Sequence, residues 1–322
     1  MGTGPAPAPT EIEAPEFSVI VAAHDAAETL GETMDSVCAQ TLSAWELVVV
    51  DDGSSDRTAS IAERASEADS RIVLMRQPNR GTAAARNTGA TQARGDRFVF
   101  LDADDLLFPN YLEAQSAFMS LHPGFDIYSC NAEYLLADGG RRPVWRGRRF
   151  EHQFSLTAED QIAESSIVLM AVITRRVLNL TGGFRDLHSE DYDFWLRALL
   201  AGATHVYDPA VLAVYRRGEG SKTRALVAEA ESFLWILEDN AASEGLTESQ
   251  HGAFARAIQR AKARVERREL EERLLGGEFA GARARYWRSR AAFPDRLTYL
   301  AGLAVMAISP TWYARIKSAR MI

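Results

Sequence analysis

Two short apolar runs, each ending in a knot of acidic residues, constrain the fold of this chain more than any other feature. Residues 46–50 (ELVVV) lead into Asp51-Asp52-Gly53-Ser54-Ser55-Asp56, and residues 97–101 (RFVFL) lead into Asp102-Ala103-Asp104-Asp105. Unbroken β-branched and aromatic runs of this length read as strands covered on both faces, as in a parallel sheet. Open α/β sheets bind ligands beyond the carboxyl ends of their strands. Acidic groups at two such ends suit a divalent cation and the hydroxyls and phosphates of a nucleotide better than a bare anion.

The surrounding pattern alternates strand and helix. Strands are expected at 17–23, 48–50, 71–75 and 98–101, and helices at 28–39, 57–68 and 81–94. That order predicts a largely parallel sheet with right-handed crossovers. Beyond Asp105 the order loosens. Pro109 opens a helix carrying Tyr111, Ala114, Phe118 and Leu121 at helical spacing. Strands are expected at 126–131 and 167–174, a helix at 190–201, and an extended segment at 205–215 broken at Pro209. From residue 225 the chain reads as charged helix with breaks at Gly245, Gly276-Gly277 and Pro294. The expected organisation is a disordered lead-in over 1–16, an α/β body over 17–224 with halves 17–105 and 106–224, and a helical region over 225–322.

Composition narrows the function classes. A formal net charge of −8 gives no electrostatic footprint for nucleic acid. Two cysteines, Cys38 and Cys130, exclude a disulfide scaffold and agree with a reduced, cytoplasmic setting. Residues 1–16 have neither the basic nor the apolar region of a secretory signal. The apolar stretch 297–308 is shorter than the roughly 20 residues of a membrane span. Trp312, Tyr313, Arg315, Lys317 and Arg320 follow it, a pattern open to peripheral membrane contact or to packing against the body.

Several constellations bear chemistry. Asp51 and Asp52 stand where a loop turns back toward a ligand, and Asp56 can cap the next helix; a plain strand-to-helix turn would use the same residues. Three carboxylates in Asp102-Ala103-Asp104-Asp105 repel one another unless a cation shares them, and Mg²⁺ or Mn²⁺ takes such hard oxygen ligands. Alternation in extended chain points Asp102 and Asp104 the same way. Between the two knots, Asn79, Gly81, Arg86, Asn87 and Gly89 open and line a helix, and Arg86 offers a planar fork to phosphate or carboxylate. Glu190 and Asp191 begin a later helix, where acids suit the dipole whether or not they do chemistry.

Ser18-Val19-Ile20-Val21, residues 49–56 (VVDDGSSD), Asn79-x-Gly81, Ala85-Arg86-Asn87-x-Gly89 and residues 100–105 (FLDADD) occur in the order and spacing of the family-2 glycosyltransferases, which this chain resembles over about residues 17–220. The resemblance implies the GT-A fold, with residues 17–224 as the catalytic domain, and transfer of a sugar from a nucleotide-diphosphate donor, a UDP-sugar in the first instance, with inversion. It implies that Ala22 and His24 line the base pocket, that Asp52 contacts the base, and that Asp102 and Asp104 form a DxD motif toward ribose and metal-bound diphosphate. It makes Asp191 the base that takes the acceptor hydroxyl's proton; Arg86 is a candidate on the donor side and Glu190 and Trp195 on the acceptor side, with helix packing the stronger reading for Trp195. A glycan or lipid-linked acceptor in cell-surface polysaccharide or glycolipid synthesis follows from the family's habits.

One departure stands out. Relatives often carry a His that helps hold metal or diphosphate, where this chain has Gly218 in Tyr215-Arg216-Arg217-Gly218-Glu219-Gly220-Ser221. Arg216 and Arg217 are the candidates to meet the phosphates instead. The Gln-x-x-Arg-Trp signature of processive synthases is absent, which favours single additions. Arg141, Arg142, Arg146, Arg148 and Arg149 form a basic run on the acceptor side, open to an acidic acceptor or to solvent. A sugar-nucleotide nucleotidyltransferase would need a basic Gly-rich loop after the first strand, and residues 22–25 (AAHD) lack it. A catalytically silent nucleotide-binding or scaffolding homologue is the alternative from another class.

Overall fold

Among the described residues a single mixed sheet of nine strands organises the body, in the order β3 (Ile72–Gln77), β2 (Trp45–Asp52), β1 (Phe17–Ala23), β4 (Arg97–Asp102), β8 (Val172–Thr174), β6 (Ile127–Leu135), β9 (His205–Arg216), β5 (Leu106–Leu107), with β7 (Arg141–Pro143) paired to β6. The computed structural model describes residues 14–136, 139–145, 148–164, 167–216, 226–275 and 286. The first half alternates strictly: β1 (Phe17–Ala23), α1 (Leu30–Cys38), β2 (Trp45–Asp52), α2 (Thr58–Ala68), β3 (Ile72–Gln77), α3 (Thr82–Gln92) and β4 (Arg97–Asp102). β3, β2, β1 and β4 are mutually parallel. Every residue of β2 is buried, as an apolar run covered on both faces requires.

Helix α3 lies unusually close to this sheet because its inner face is made of small residues. Ala83, Ala85 and Ala90 are buried, and a Cβ on Gly89 would stand 2.5 Å from Ile20 Cγ2. That close approach carries the long side chain of Arg86 into the interior, where it is 3% exposed.

At the amino ends of these strands a single carboxylate ties the layers together. Glu46 accepts from Ser18 Oγ (2.6 Å), from Arg94 N (2.5 Å) and Nε (2.8 Å), and from Gly95 N (3.3 Å). Burial opposes its ionisation, but the bonds from Ser18 and Arg94 outweigh burial and hold its carboxyl below the usual range.

The second half comprises β5 (Leu106–Leu107), α4 (Tyr111–Leu121), β6 (Ile127–Leu135), β7 (Arg141–Pro143), a 3₁₀ turn (Arg148–Glu151), α5 (Ala158–Ala163), β8 (Val172–Thr174), α6 (Arg175–Thr181), α7 (Glu190–Leu200) and β9 (His205–Arg216). Here the direction alternates. β8 is antiparallel to both β4 and β6, β9 is parallel to β6, and β5 is antiparallel to β9. The parallel expectation therefore holds for the first four strands, and the sheet becomes mixed beyond β4. The apolar stretch 167–174 is a strand only over Val172–Thr174. Residues 167–171 are buried but irregular, with Leu169 N donating to Tyr215 Oη (3.1 Å) and Ala171 N to Val168 O (3.1 Å). Burial alone does not distinguish the two states. Strand β9 runs through Pro209 by shifting register opposite Cys130–Ala132.

Helices α8 (Leu226–Ala241) and α9 (Glu248–Leu275) do not stand apart from this body. Ile236, Leu237, Phe254 and Ala257 share an apolar cluster with Ile162 of α5 and with Tyr192 and Leu196 of α7. Among the described residues no helix is long and apolar enough to cross a membrane. Residues 1–13 of the lead-in expected over 1–16, Arg146, Arg217, Gly218 and the aromatic-basic tail lie outside the described residues.

Candidate active site

The carboxyl ends of β1, β2 and β4 come level with one another, since Ala22 is in register with both Val50 and Asp102. Just beyond them, Asp102, Asp104 and Asp105 bring one carboxylate oxygen each within 4.8 Å of one another. Asp105 is buried and accepts from Arg216 N (2.9 Å). Its burial, and the adjacent charges of Asp102 and Asp104, raise its pKa well above the usual range despite that bond. Three hard oxygens at this spacing fit a divalent cation, whose charge would relieve the crowding. The side chain of Arg216 is occupied elsewhere. Its Nε donates to Asp104 O (2.9 Å) and its guanidinium pairs with Glu32 of α1.

One buried guanidinium joins the two acidic motifs. Arg86 Nη2 reaches Asp102 Oδ1 at 2.6 Å, and Nη1 reaches Glu190 Oε1 at 2.7 Å. Burial works against its charge, but Asp102 and Glu190 outweigh burial and push its pKa up. Asp191 stands beside this pair, half-buried, with Oδ1 accepting from Tyr192 N (2.7 Å). Burial raises its pKa, the nearby Arg86 opposes that rise, and Asp102 adds to it. Glu190 is raised by burial as well, again against Arg86. A carboxylate held in this way is a stronger base than an exposed one.

The loops after β1 and β2 are stitched to each other. Asp25 adopts φ +46° and accepts from Ser55 N (2.7 Å), while its own N–H donates to Ser54 Oγ (3.0 Å). His24 Nδ1–H donates to Asp52 O (2.9 Å), which leaves Nε2 to accept from Asn79 Nδ2 (3.1 Å). Asp52 is buried and accepts from Gln77 Nε2 (2.7 Å), Arg80 N (2.9 Å) and Gly81 N (2.8 Å). A carboxylate has about four acceptor positions, so roughly one is left for a ligand.

The structure thus gathers Asp102, Asp104, Arg86, Glu190 and Asp191 around one centre, with Ala22 beside Asp102 at the end of β1. His24 and Asp52 form the neighbouring wall. Trp195 is in a different place: it is wholly buried, with its ring 5.0 Å from that of Phe194, on the inner face of α7. Arg141 pairs with Glu133 (2.5 Å), and the guanidinium of Arg142 lies 5.6 Å from the Tyr134 ring centre. Two further residues shape the centre. Gln77, itself held by Thr88 Oγ1 (2.7 Å), fixes Asp52, and Asp105 completes the acid cluster. The Asp105 signal was present in the run of three carboxylates; the role of Gln77 had none.

An α/β sheet with paired acids at its carboxyl edge and a GT-A-like strand order defines a class, and comparison with known proteins narrows it. Residues 18–172 match the glycosyl transferase family 2 model, and residues 98–314 match that of glycosyl transferase family group 2. The chain belongs to the family-2 glycosyltransferases. It is 28% identical over 226 residues to the glycosyltransferase YibD of Escherichia coli, a match covering 63% of this chain and 65% of that protein, so the chain spans less than two thirds of that relative. It resembles the structure of Staphylococcus aureus TarS 1–349 in complex with UDP-GlcNAc, with a TM-score of 0.64 at 18% identity over 93% of this chain and 89% of that one. It resembles a mannosyltransferase from Pyrobaculum calidifontis in complex with GDP-Man and Mn²⁺, with a TM-score of 0.62 at 20% identity over 98% and 90% of the two chains. Likeness at such identities is one of fold.

Proposed function

We propose that this chain is an inverting glycosyltransferase that moves a sugar from a nucleotide-diphosphate donor, first among them a UDP-sugar, to an acceptor hydroxyl. The observation that carries the reading is the fork of Arg86, which holds Asp102 and Glu190 at 2.6 and 2.7 Å and so brings the donor-side and acceptor-side acids to one centre. In this reading the base and ribose lie along Ala22, His24, Asp52 and Asp102. Asp102, Asp104 and Asp105 would hold Mg²⁺ or Mn²⁺, which when bound stabilises the charge on the leaving diphosphate. Asp191 takes the proton from the acceptor oxygen as that oxygen bonds the anomeric carbon and the diphosphate departs from the opposite face. Inversion follows from a single displacement, with no carboxylate nucleophile.

The division into a catalytic body at 17–224 and a helical region at 225–322 belongs to this proposal, as do a glycan or lipid-linked acceptor and a cytoplasmic, membrane-peripheral location. The complex of TarS with UDP-GlcNAc and that of the Pyrobaculum enzyme with GDP-Man and Mn²⁺ support the donor class and the metal. With Arg216 engaged by Glu32 and Asp104, a phosphate role for it requires an exchange of partners.

The test is a thermal-shift series with nucleotide diphosphates, with and without Mn²⁺, followed by transfer assays with the matching sugar nucleotides. Saturation to about 100 times Kd adds about 2.7 kcal/mol to native stability. A metal-dependent rise in Tm with one nucleotide, abolished in Asp104→Ala, is the expected result. Absence of a shift with every nucleotide would overturn the reading in favour of a silent homologue.

A further inference from the structure

We propose that Asn87 is a positioning residue, acting through Phe184 to hold the donor-side and acceptor-side carboxylates in register; this rests on the glycosyl-transfer reading above. Asn87 follows Arg86 on α3, in the first half of the chain. Its side chain grips the backbone of Phe184 from the second half: Nδ2 donates to Phe184 O (2.8 Å), and Phe184 N–H donates to Oδ1 (2.8 Å). Two bonds to one residue's N–H and C=O fix position and orientation together, as a strand neighbour would. Gly183 makes the approach possible. Its φ is +93°, and a Cβ there would lie 2.4 Å from Asn87 Oδ1.

Phe184 is the point through which this grip acts. Its ring stacks on Phe194 of α7 (centroids 4.2 Å, 13°) and meets Phe100 of β4 edge-on (4.7 Å, 81°). The Arg86 guanidinium lies 5.3 Å from the same ring. Phe100 precedes Asp102 by two residues on β4, and Phe194 follows Asp191 by three on α7. A shift of Phe184 therefore disturbs both acidic motifs and the arginine between them. Other holds on this loop, Arg197 Nη2 donating to Gly183 O (2.7 Å) and Arg185 donating to Asp193 of α7 and Asp239 of α8, involve no residue of the first half and cannot set one half against the other. Asn87 also borders a cavity of about 470 Å³ lined by Thr91, Arg175, Asn179 and the Gly182–Gly183 turn, so truncating it opens space without overpacking the fold.

The experiment compares Asn87→Ala, Asn87→Asp and Gly183→Ala in the full chain. Misplacement of reacting groups by about 1 Å costs on the order of 10²-fold. The expected result for Asn87→Ala is a kcat lower by about 10²-fold, with donor KM and the Mn²⁺-dependent thermal shift by nucleotide diphosphate little changed. Asn87→Asp, which keeps the acceptor for Phe184 N–H, should recover part of the loss. Gly183→Ala should reproduce it, and the double variant should lose no more than either single one. A crystal structure of Asn87→Ala should show Arg86 parted from Glu190. A lower Tm with kcat unchanged, and the Arg86–Glu190 pair intact, would overturn the inference and leave Asn87 a stabilising residue only. Should the wild-type chain transfer no sugar at all, the functional reading falls separately, and the Arg86–Glu190 geometry of Asn87→Ala still decides the clamp.

Discussion

The two ends of the parallel strands use carboxylates in opposite ways. At the amino ends, one buried acid, Glu46, is met by donors from Ser18, Arg94 and Gly95, and its pKa is lowered. At the carboxyl ends, Asp102, Glu190 and Asp191 gather around the Arg86 guanidinium, Asp104 and Asp105 cluster with Asp102, and three of the five, Asp105, Glu190 and Asp191, have raised pKa values. The first arrangement stabilises the native state. The second leaves charge unbalanced and is open to a cation and a substrate. The same residue type thus marks a structural tie or a site according to how many donors the fold brings to it.

The largest effect expected from this contrast is on catalysis. Asp191→Asn should lower kcat by about 10²–10⁴-fold while leaving nucleotide binding intact, read from transfer rates and thermal shifts. In the wild type the acid limb of kcat/KM should lie above the ordinary aspartate range, because the raised pKa of Asp191 means that protonation removes the base at a higher pH. A limb at ordinary aspartate values would count against Asp191. Arg86→Met should come next, destabilising the fold by about 3–5 kcal/mol in chemical denaturation, since it leaves Asp102 and Glu190 facing each other without a shared partner.

Glu46→Gln should cost less, roughly 1.5–3 kcal/mol at neutral pH, with kcat unchanged. The sign of its pH dependence follows from a lowered folded pKa. The stabilisation is present above the ordinary value of 4.5 and is lost as the pH falls through the lower folded value, so variant and wild type should converge in acid. Asp105→Asn should have the smallest effect and the opposite sign, raising Tm by roughly 2 °C at neutral pH in the presence of a chelator. A raised folded pKa gives stability that is full below the ordinary 3.8 and is lost as pH rises through the folded value, so this gain should vanish in acid. A destabilised Asp105→Asn at neutral pH would break the contrast between the two ends.

Much of this was legible in the sequence where the information is local. β1, β2 and β4 show themselves as apolar runs, and the acids at their ends follow by position. What could not be read was partnership across distance. Arg86 and Glu190 are 104 residues apart, and Asn87 meets Phe184 across 97. Spacing describes a turn or a helix face, but it carries no signal for which distant backbone a side chain will grip. The over-long strand expected at 167–174 failed for a related reason: an apolar run buried in a loop has the same composition as one buried in a sheet. Trp195, by contrast, was legible as helix packing, and it lies wholly buried on α7.

The short β5–β9 ladder has a consequence for how the molecule comes into being. Leu106 and Leu107 pair with Val214 and Ala213, and Arg216, two residues beyond Val214 on β9, supplies the N–H that meets Asp105. The first four strands close through short, local crossovers, whereas this ladder must wait for almost the whole second half of the body to be made. Loop-closure entropy places such a contact late in folding. On the ribosome the first half can collapse while its acid cluster is still bare. The chain then passes through a period with a formed sheet and an unfinished wall, when Asp105 is solvated and ordinarily ionised. A chaperone or a divalent ion meeting the chain in that interval would find Asp105, buried in the finished protein, as accessible as Asp104.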